Sequence, residues 1–192
     1  MKETYSKNYF EKYAALTLMK ILNVAEDQII QSDRPDLRIP DCNYGIEVTQ
    51  ALTPVEAVAD IKKPLYAILQ INPFDHNEDD LEFVMQKIDN AIERKEQKSK
   101  NYQKYLNNGL YIFSHCHNLP KHLLEEYFNN HPLTDSFYQH IYINCVSHVY
   151  HYQCIDNTFK RINYHYSELS KMNHIALEFE KHCKKTRRKI IL

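Results

Sequence analysis

The order of helical and strand-like patterns over the first 115 residues constrains the fold more than any other feature of this sequence. The order is helix, three short strands, helix and strand. Helical spacing of apolar residues covers 8–24 and 80–106. The strand-like segments are 28–32, 36–40, 46–52 and 110–115. Both kinds of element in this order predict an α/β fold with a mixed central sheet flanked by helices.

The remainder of the chain predicts a β-rich and helical C-terminal extension. A short helix is expected at 120–130, with Pro120 at its start. Three β-prone pieces over 139–164 predict a small antiparallel addition, and a closing helix is expected over 167–186. Gly109 is expected to end the helix before it and to open the next strand.

The length of 192 residues suits one domain with a full core. We expect a single domain over 1–192, in which 1–115 form the core and 116–192 pack on it. A further helical segment is predicted over 55–71, which Pro64 must kink or split.

Composition limits the cellular setting and the partners. The formal net charge of −1 weakly opposes a nucleic-acid binder, although the distribution of charge matters more than its sum. No run approaches the ~20 apolar residues of a membrane span, so no membrane partner is expected. Five cysteines without a signal peptide predict free thiols in a reducing cytoplasm.

Two carboxylates are the residues most suited to chemistry. Asp36 and Glu47 lie on consecutive predicted strands, with ten residues between them, so the strands would bring them side by side. Mg²⁺ prefers carboxylate oxygens and keeps several waters, and a metal-bound water can attack a phosphodiester.

The pattern around these acids resembles the signature of the PD-(D/E)XK, or restriction-endonuclease-like, nucleases. Pro35-Asp36, a short hairpin and then Glu47-Val48-Thr49 stand where that family has Pro-Asp, a hairpin and (Asp/Glu)-X-Lys. The resemblance implies an αβββαβ core and Mg²⁺ or Mn²⁺ held by the Asp and the Glu. It also implies that an acid on the first helix, here Glu11, assists directly or through water.

The sequence departs from the family at the motif lysine. Thr49 occupies that position, with Gln50 beside it. In this family the role of the lysine is in some members taken over from the next helix. That helix often contributes a polar or basic residue, sometimes with a Tyr one turn later. Lys98 and Tyr102 have that spacing, and Lys95 lies one turn before Lys98. We therefore predict that Lys95 or Lys98 acts in place of the missing lysine.

Structural interpretations of the same residues remain open. Asp36 can be a turn residue, Glu47 a solvated strand residue, and Glu11 an acid favoured by the helix dipole. Lys98 and Tyr102 can belong to an ordinary amphipathic helix surface.

Histidine and cysteine residues do not predict a zinc site. His148, His151 and Cys154 recur at three-residue spacing, which does not place them on one face of a strand. Structural zinc usually uses pairs of ligands with tight local spacing such as C-x₂-C, which this sequence lacks.

The resemblance implies a Mg²⁺-dependent nuclease that hydrolyses DNA phosphodiester bonds in defence, mobile-element or repair biology. It also implies a homodimer, because duplex cleavage needs two active sites. The alternative is a restriction-endonuclease-like fold without catalysis that binds nucleic acid or protein. An RNA nuclease on the same core is a third possibility.

Overall fold

The computed structural model describes residues 6–53, 56 and 80–190, and side chains as far as residue 186. Four α-helices and seven strands form a mixed α/β fold in this part of the chain. The helix predicted over 55–71, with its kink at Pro64, lies outside the described residues apart from Glu56, which is helical.

The first helix, α1 (Lys7–Leu22), begins and ends at residues whose chemistry favours the two positions. The hydroxyl of Ser6 accepts a hydrogen bond from the backbone N–H of Asn8, which satisfies one of the free donors at the helix start. Asn23 closes the helix in the left-handed conformation, at φ 53°. The buried face of α1 packs on the sheet and against the C-terminal helix.

Three strands follow in antiparallel order: β1 (Ile30–Gln31), β2 (Leu37–Ile39) and β3 (Tyr44–Gln50). One turn of 3₁₀-helix, Pro40–Cys42, connects β2 to β3, and Asn43 completes the connection at φ 46°. The short connection fixes the register of the two strands, with Leu37 opposite Ile46.

The second helix, α2 (Leu81–Ser99), starts at Asp80, whose carboxylate caps the backbone N–H of Glu82. The sequence predicted that this helix would reach residue 106 and end at Gly109, and that prediction is wrong. The helix ends at Ser99, and the following residues lead back to the sheet at β4 (Asn107–Phe113). Gly109 lies inside β4, which pairs in parallel with β3.

The predicted β-rich extension continues the same sheet. After α3 (Lys121–Asn130), strand β5 (His140–Asn144) pairs in parallel with β4. Strand β5 also pairs antiparallel with β6 (His148–Gln153), and β6 pairs antiparallel with β7 (Thr158–Asn163). The predicted antiparallel addition is therefore present, and β5 joins it to the main sheet. The strand order is β1-β2-β3-β4-β5-β6-β7, and α4 (Tyr166–Ile190) follows the last strand.

Each face of the sheet carries its own apolar core. One cluster joins the apolar sides of α1 and α4 to alternate residues of the strands, including Ile46 and Tyr111. The other joins α2 and α3 to the intervening residues, including Leu110 and Ile112. The central strands are thus covered on both faces, as expected of parallel strands.

Two further features are the state of the cysteines and the character of the helices. All five cysteines are free thiols, as predicted. Within the described residues, no helix combines the length and the apolar character needed to cross a membrane.

Gly109 allows two tyrosines to meet across β4. The hydroxyl oxygens of Tyr44 and Tyr142, from the strands on either side, lie 2.5 Å apart. A Cβ atom at Gly109 would lie 3.2 Å from each of those rings and from Ile46, closer than ordinary van der Waals contact. All three neighbours are buried and have little room to shift.

Gly109→Ala is expected to destabilise the protein by about 1–3 kcal/mol, because overpacking a filled core outweighs the higher strand propensity of alanine. Urea unfolding of both proteins measures the difference. Unchanged or increased stability would mean that the tyrosine pair moves aside without cost.

Candidate active site

The β2–β3 pair brings Asp36 and Glu47 side by side. Leu37 pairs with Ile46, and continuing the antiparallel register by one residue places Asp36 opposite Glu47. Both residues are buried, at 3% and 5% relative exposure. Asp36 Oδ2 accepts a hydrogen bond of 2.8 Å from the backbone N–H of Val48. The two acids therefore occupy adjacent buried positions, as the sequence predicted.

Helix α1 adds a third acid and a lysine. Glu11 is buried at 5% relative exposure, and Lys7 precedes it by one turn. The Lys7 ammonium lies 3.1 Å from Glu11 Oε1 and 2.8 Å from Asp36 Oδ1, so it joins two carboxylates from different elements. Gln31 Nε2 donates to the second oxygen of Glu11 at 3.4 Å.

Helix α2 supplies a second lysine from the other side. Lys95 Nζ lies 2.7 Å from Glu47 Oε2, and their side chains are 15% and 6% exposed. Lys98 is exposed near the end of the helix. The structure thus brings Lys95 to the carboxylates and leaves Lys98 in solvent.

Thr49, at the position of the expected motif lysine, is in contact with a basic residue of α2. Arg94 Nη2 donates to Thr49 Oγ1 at 3.1 Å and to the backbone oxygen of Gln50 at 3.4 Å. Thr49 is buried at 9% relative exposure, so the guanidinium of the exposed Arg94 reaches over it from α2.

Two tyrosines lie in the electrostatic field of the acids. Tyr102 follows α2 in a turn, rather than lying on the helix as predicted, and packs edge-on against Phe137. Burial and the charge of Glu47 raise the pKa of Tyr102. The same two causes raise the pKa of Tyr138, whose buried hydroxyl makes no hydrogen bond within the described part of the chain.

The ionisation of the acids reflects their crowding. Burial, followed by the charge of Asp36, raises the pKa of Glu11 to about 7, and the ammonium of Lys7 opposes that rise. Burial also raises the pKa of Glu47, against the effect of Lys95. Burial would lower the pKa of Lys7, but hydrogen bonds and the charges of Asp36 and Glu11 outweigh it and raise that pKa. The site therefore holds more negative charge than its surroundings easily accommodate.

The donor atoms of Asp36 and Glu47 suit a hard cation. Mg²⁺ is usually held by one or two carboxylates and completes its octahedron with water, so two adjacent acids are sufficient. Over residues 6–53, 56 and 80–190, no three or more His, Cys, Asp or Glu side chains are arranged as a metal-binding group. Two protein ligands plus water is thus the arrangement that the donor set fits.

The histidines form a separate feature on β5 and β6. His140 Nδ1 and His151 Nε2 lie 3.0 Å apart, and the His151 ring stacks on Tyr142. Burial lowers the pKa of His151 to about 3, and burial also lowers the pKa of His140. His148 is buried on the same strand and is not part of this pair.

Comparison with known proteins does not assign the chain to a family. No family model, curated protein or solved structure matches the chain.

Three residues around the acids were not singled out from the sequence: Lys7, Arg94 and Tyr138. Lys7 precedes Glu11 by four positions, a helical pairing that could have indicated it. Arg94 is one of several basic residues on its helix, and nothing in the spacing distinguishes it. Tyr138 reaches the site through a loop that only long-range packing places.

The substitution Glu11→Gln tests whether neighbouring negative charge and burial raise the pKa of Glu11. A carboxyl group whose pKa is raised from 4.5 to about 7 on folding stabilises the protein fully below pH 4.5 and loses that contribution as the pH rises to 7. The stability of wild type relative to Glu11→Gln should therefore fall by about 2–3 kcal/mol between pH 4.5 and 8. Urea unfolding across this range measures it. A difference independent of pH would show that Glu11 titrates normally.

Proposed function

We propose that this protein is a metal-dependent nuclease that hydrolyses DNA phosphodiester bonds, built on a restriction-endonuclease-like αβββαβ core. The arrangement of α1, β1–β3, α2 and β4 supports that core. Strands β1 to β3 are antiparallel neighbours and β4 joins in parallel beside β3. The sheet continues through β5 to β7, which the proposal treats as an elaboration of the core.

The observation that carries the proposal is the contact of Lys95 with Glu47. The motif lysine is replaced by Thr49, and an ammonium group from the next helix lies 2.7 Å from the motif carboxylate instead. A lysine on an otherwise apolar helix face is costly unless it has a charged partner or a task. The placement supports a migrated lysine, in which Lys95 does from α2 what the family does from the strand.

The roles of the side chains follow from their positions. Asp36 and Glu47 would hold Mg²⁺ or Mn²⁺, with Glu11 assisting directly or through water. When bound, the metal supplies a more acidic water as nucleophile and neutralises charge on the phosphoryl oxygens. The ammonium of Lys95 orients a water beside Glu47 and stabilises negative charge at the reacting phosphate. Arg94, which is exposed above Thr49, would contact a neighbouring phosphate.

The first test is nicking of supercoiled plasmid with Mg²⁺ or Mn²⁺, together with calorimetric titration of each metal. Asp36→Asn and Glu47→Gln keep the hydrogen-bond acceptors for Val48 N–H and Lys95 but remove the charge. Both variants should lose metal binding and nicking. Single-stranded RNA as a parallel substrate distinguishes a ribonuclease, and the ratio of linear to nicked plasmid tests the proposed homodimer.

Lys95→Met and Lys98→Met are a matched pair on one helix. Lys95→Met should lower the nicking rate by about 100-fold or more, as loss of a group that stabilises the reacting phosphate does. Lys98→Met removes the same charge from an exposed position and should retain nearly full activity. Equal effects in the two variants would contradict the migrated lysine.

The second candidate is a binding module without catalysis, which the threonine at the motif-lysine position favours. Duplex binding that is unaffected by Asp36→Asn, with no metal uptake and no nicking, would establish this alternative in place of the nuclease.

A further inference from the structure

Lys7 differs from the other lysine of the site in its exposure. Its side chain is 62% exposed, whereas that of Lys95 is 15% exposed. Its ammonium nevertheless lies between two buried carboxylates, 2.8 Å from Asp36 Oδ1 and 3.1 Å from Glu11 Oε1. A flexible side chain thus reaches inward from the solvent to place one positive charge between the acids.

The two oxygens of Asp36 have different partners. Oδ2 accepts the backbone N–H of Val48, which belongs to the hydrogen bonding of the β2–β3 pair. Oδ1 lies 2.8 Å from the ammonium of Lys7, whose side chain is largely exposed. A metal ion that binds Asp36 through the oxygen not engaged in the strand pair would therefore bind the oxygen that Lys7 contacts.

We propose that Lys7 is an exchangeable counter-cation, whose ammonium holds the position between Asp36 and Glu11 and leaves it when a divalent metal binds. The inference rests on the proposed function, since it concerns the same metal site. It adds a role for a residue on α1 that the family pattern does not include.

Electrostatic repulsion favours the exchange. Two unit charges 4 Å apart repel by about 1 kcal/mol in water, so an ammonium and a divalent ion at that distance repel by about 2 kcal/mol, and by more in a partly buried site. Both cations cannot share Asp36 Oδ1 at full strength. Lys7 has the freedom to leave, because its stem is in solvent, whereas Lys95 is enclosed between α2 and β3.

The released ammonium would be available to bind a phosphate group of the nucleic acid. It would remain tethered to the first turn of α1, next to the acids and facing solvent, where an incoming phosphate passes. A lysine there adds one phosphate contact to nucleic-acid binding. Removing Lys7 should therefore have opposite effects on the two ligands: metal binding becomes tighter and duplex binding becomes weaker.

The size of the metal effect follows from competition. The apparent dissociation constant is the intrinsic constant divided by the fraction of molecules in which the site is open. If the ammonium occupies the carboxylates for about nine-tenths of the time, its removal tightens metal binding about tenfold.

The test is titration of Mn²⁺ into wild type, Lys7→Gln, Lys7→Arg and Arg34→Gln, followed by calorimetry and by the paramagnetic resonance signal of free Mn²⁺. Arg34 is exposed two residues before Asp36, so Arg34→Gln removes an equal charge near the site without removing an occupant. Lys7→Gln should bind Mn²⁺ about tenfold more tightly. Arg34→Gln should change affinity by less than about threefold, and Lys7→Arg should bind no more tightly than wild type, because arginine also pairs with carboxylates.

Duplex binding in Ca²⁺ provides the second readout. Lys7→Gln should weaken it and reduce its dependence on salt concentration by about one phosphate contact. Equal Mn²⁺ affinity in Lys7→Gln and wild type, or equal tightening in Arg34→Gln, would overturn the exchange.

The outcomes separate the two proposals. Mn²⁺ binding that depends on Asp36 and Glu47 but not on Lys7 leaves the nuclease standing and ends the exchange. Binding in Lys7→Gln but not in wild type supports the exchange. If no variant binds Mn²⁺ and plasmid remains intact, both proposals fail.

Discussion

The burial of two carboxylates side by side is the constraint on which the rest of this site depends. Asp36, directly before β2, and Glu47, on β3, occupy neighbouring positions with almost no access to water. Removing a carboxylate from water costs several kcal/mol, and a like charge opposite adds to that cost. Cations must compensate, and the chain supplies Lys7 from α1 and Lys95 from α2. Asp36 and Glu47 each have an ammonium group within 3 Å.

This balance connects the site to the architecture of the sheet. Helix α1 packs on one face, with α4, and α2 packs on the other, with α3. Lys7 and Lys95 therefore approach the β2–β3 pair from opposite sides. Lys95 is enclosed and holds one carboxylate, whereas Lys7 is exposed and bridges two. The enclosed lysine suits a fixed role beside a reacting phosphate, and the exposed one suits exchange with a metal ion.

How much of the site could be predicted depended on whether each contact joins residues that are close together or far apart along the sequence. The pairing of Asp36 with Glu47 follows from alternation along two strands joined by a short turn, so it could be inferred locally. The choice between Lys95 and Lys98 could not, because a difference of three residues rotates a side chain by only about 60° on the helix surface. The packing of α2 on the sheet decided it, since Lys95 contacts Glu47 and Lys98 faces solvent near the last turn. Tyr102 was predicted to lie on the helix, but it lies in the turn that follows Ser99.

The sequence by itself determined the helix and strand order of the described core, the adjacency of the two acids and the arrival of a basic residue from the second helix. These rest on periodicity and on turns, which act over a few residues. Only the tertiary structure decided that β5 joins the sheet in parallel, that Lys7 reaches Asp36, and that Arg94 lies over Thr49. Those contacts join residues or segments that local patterns leave unrelated. The packing of helices on both faces of the sheet selects them, because it alone settles which side chains share the buried space around the acids.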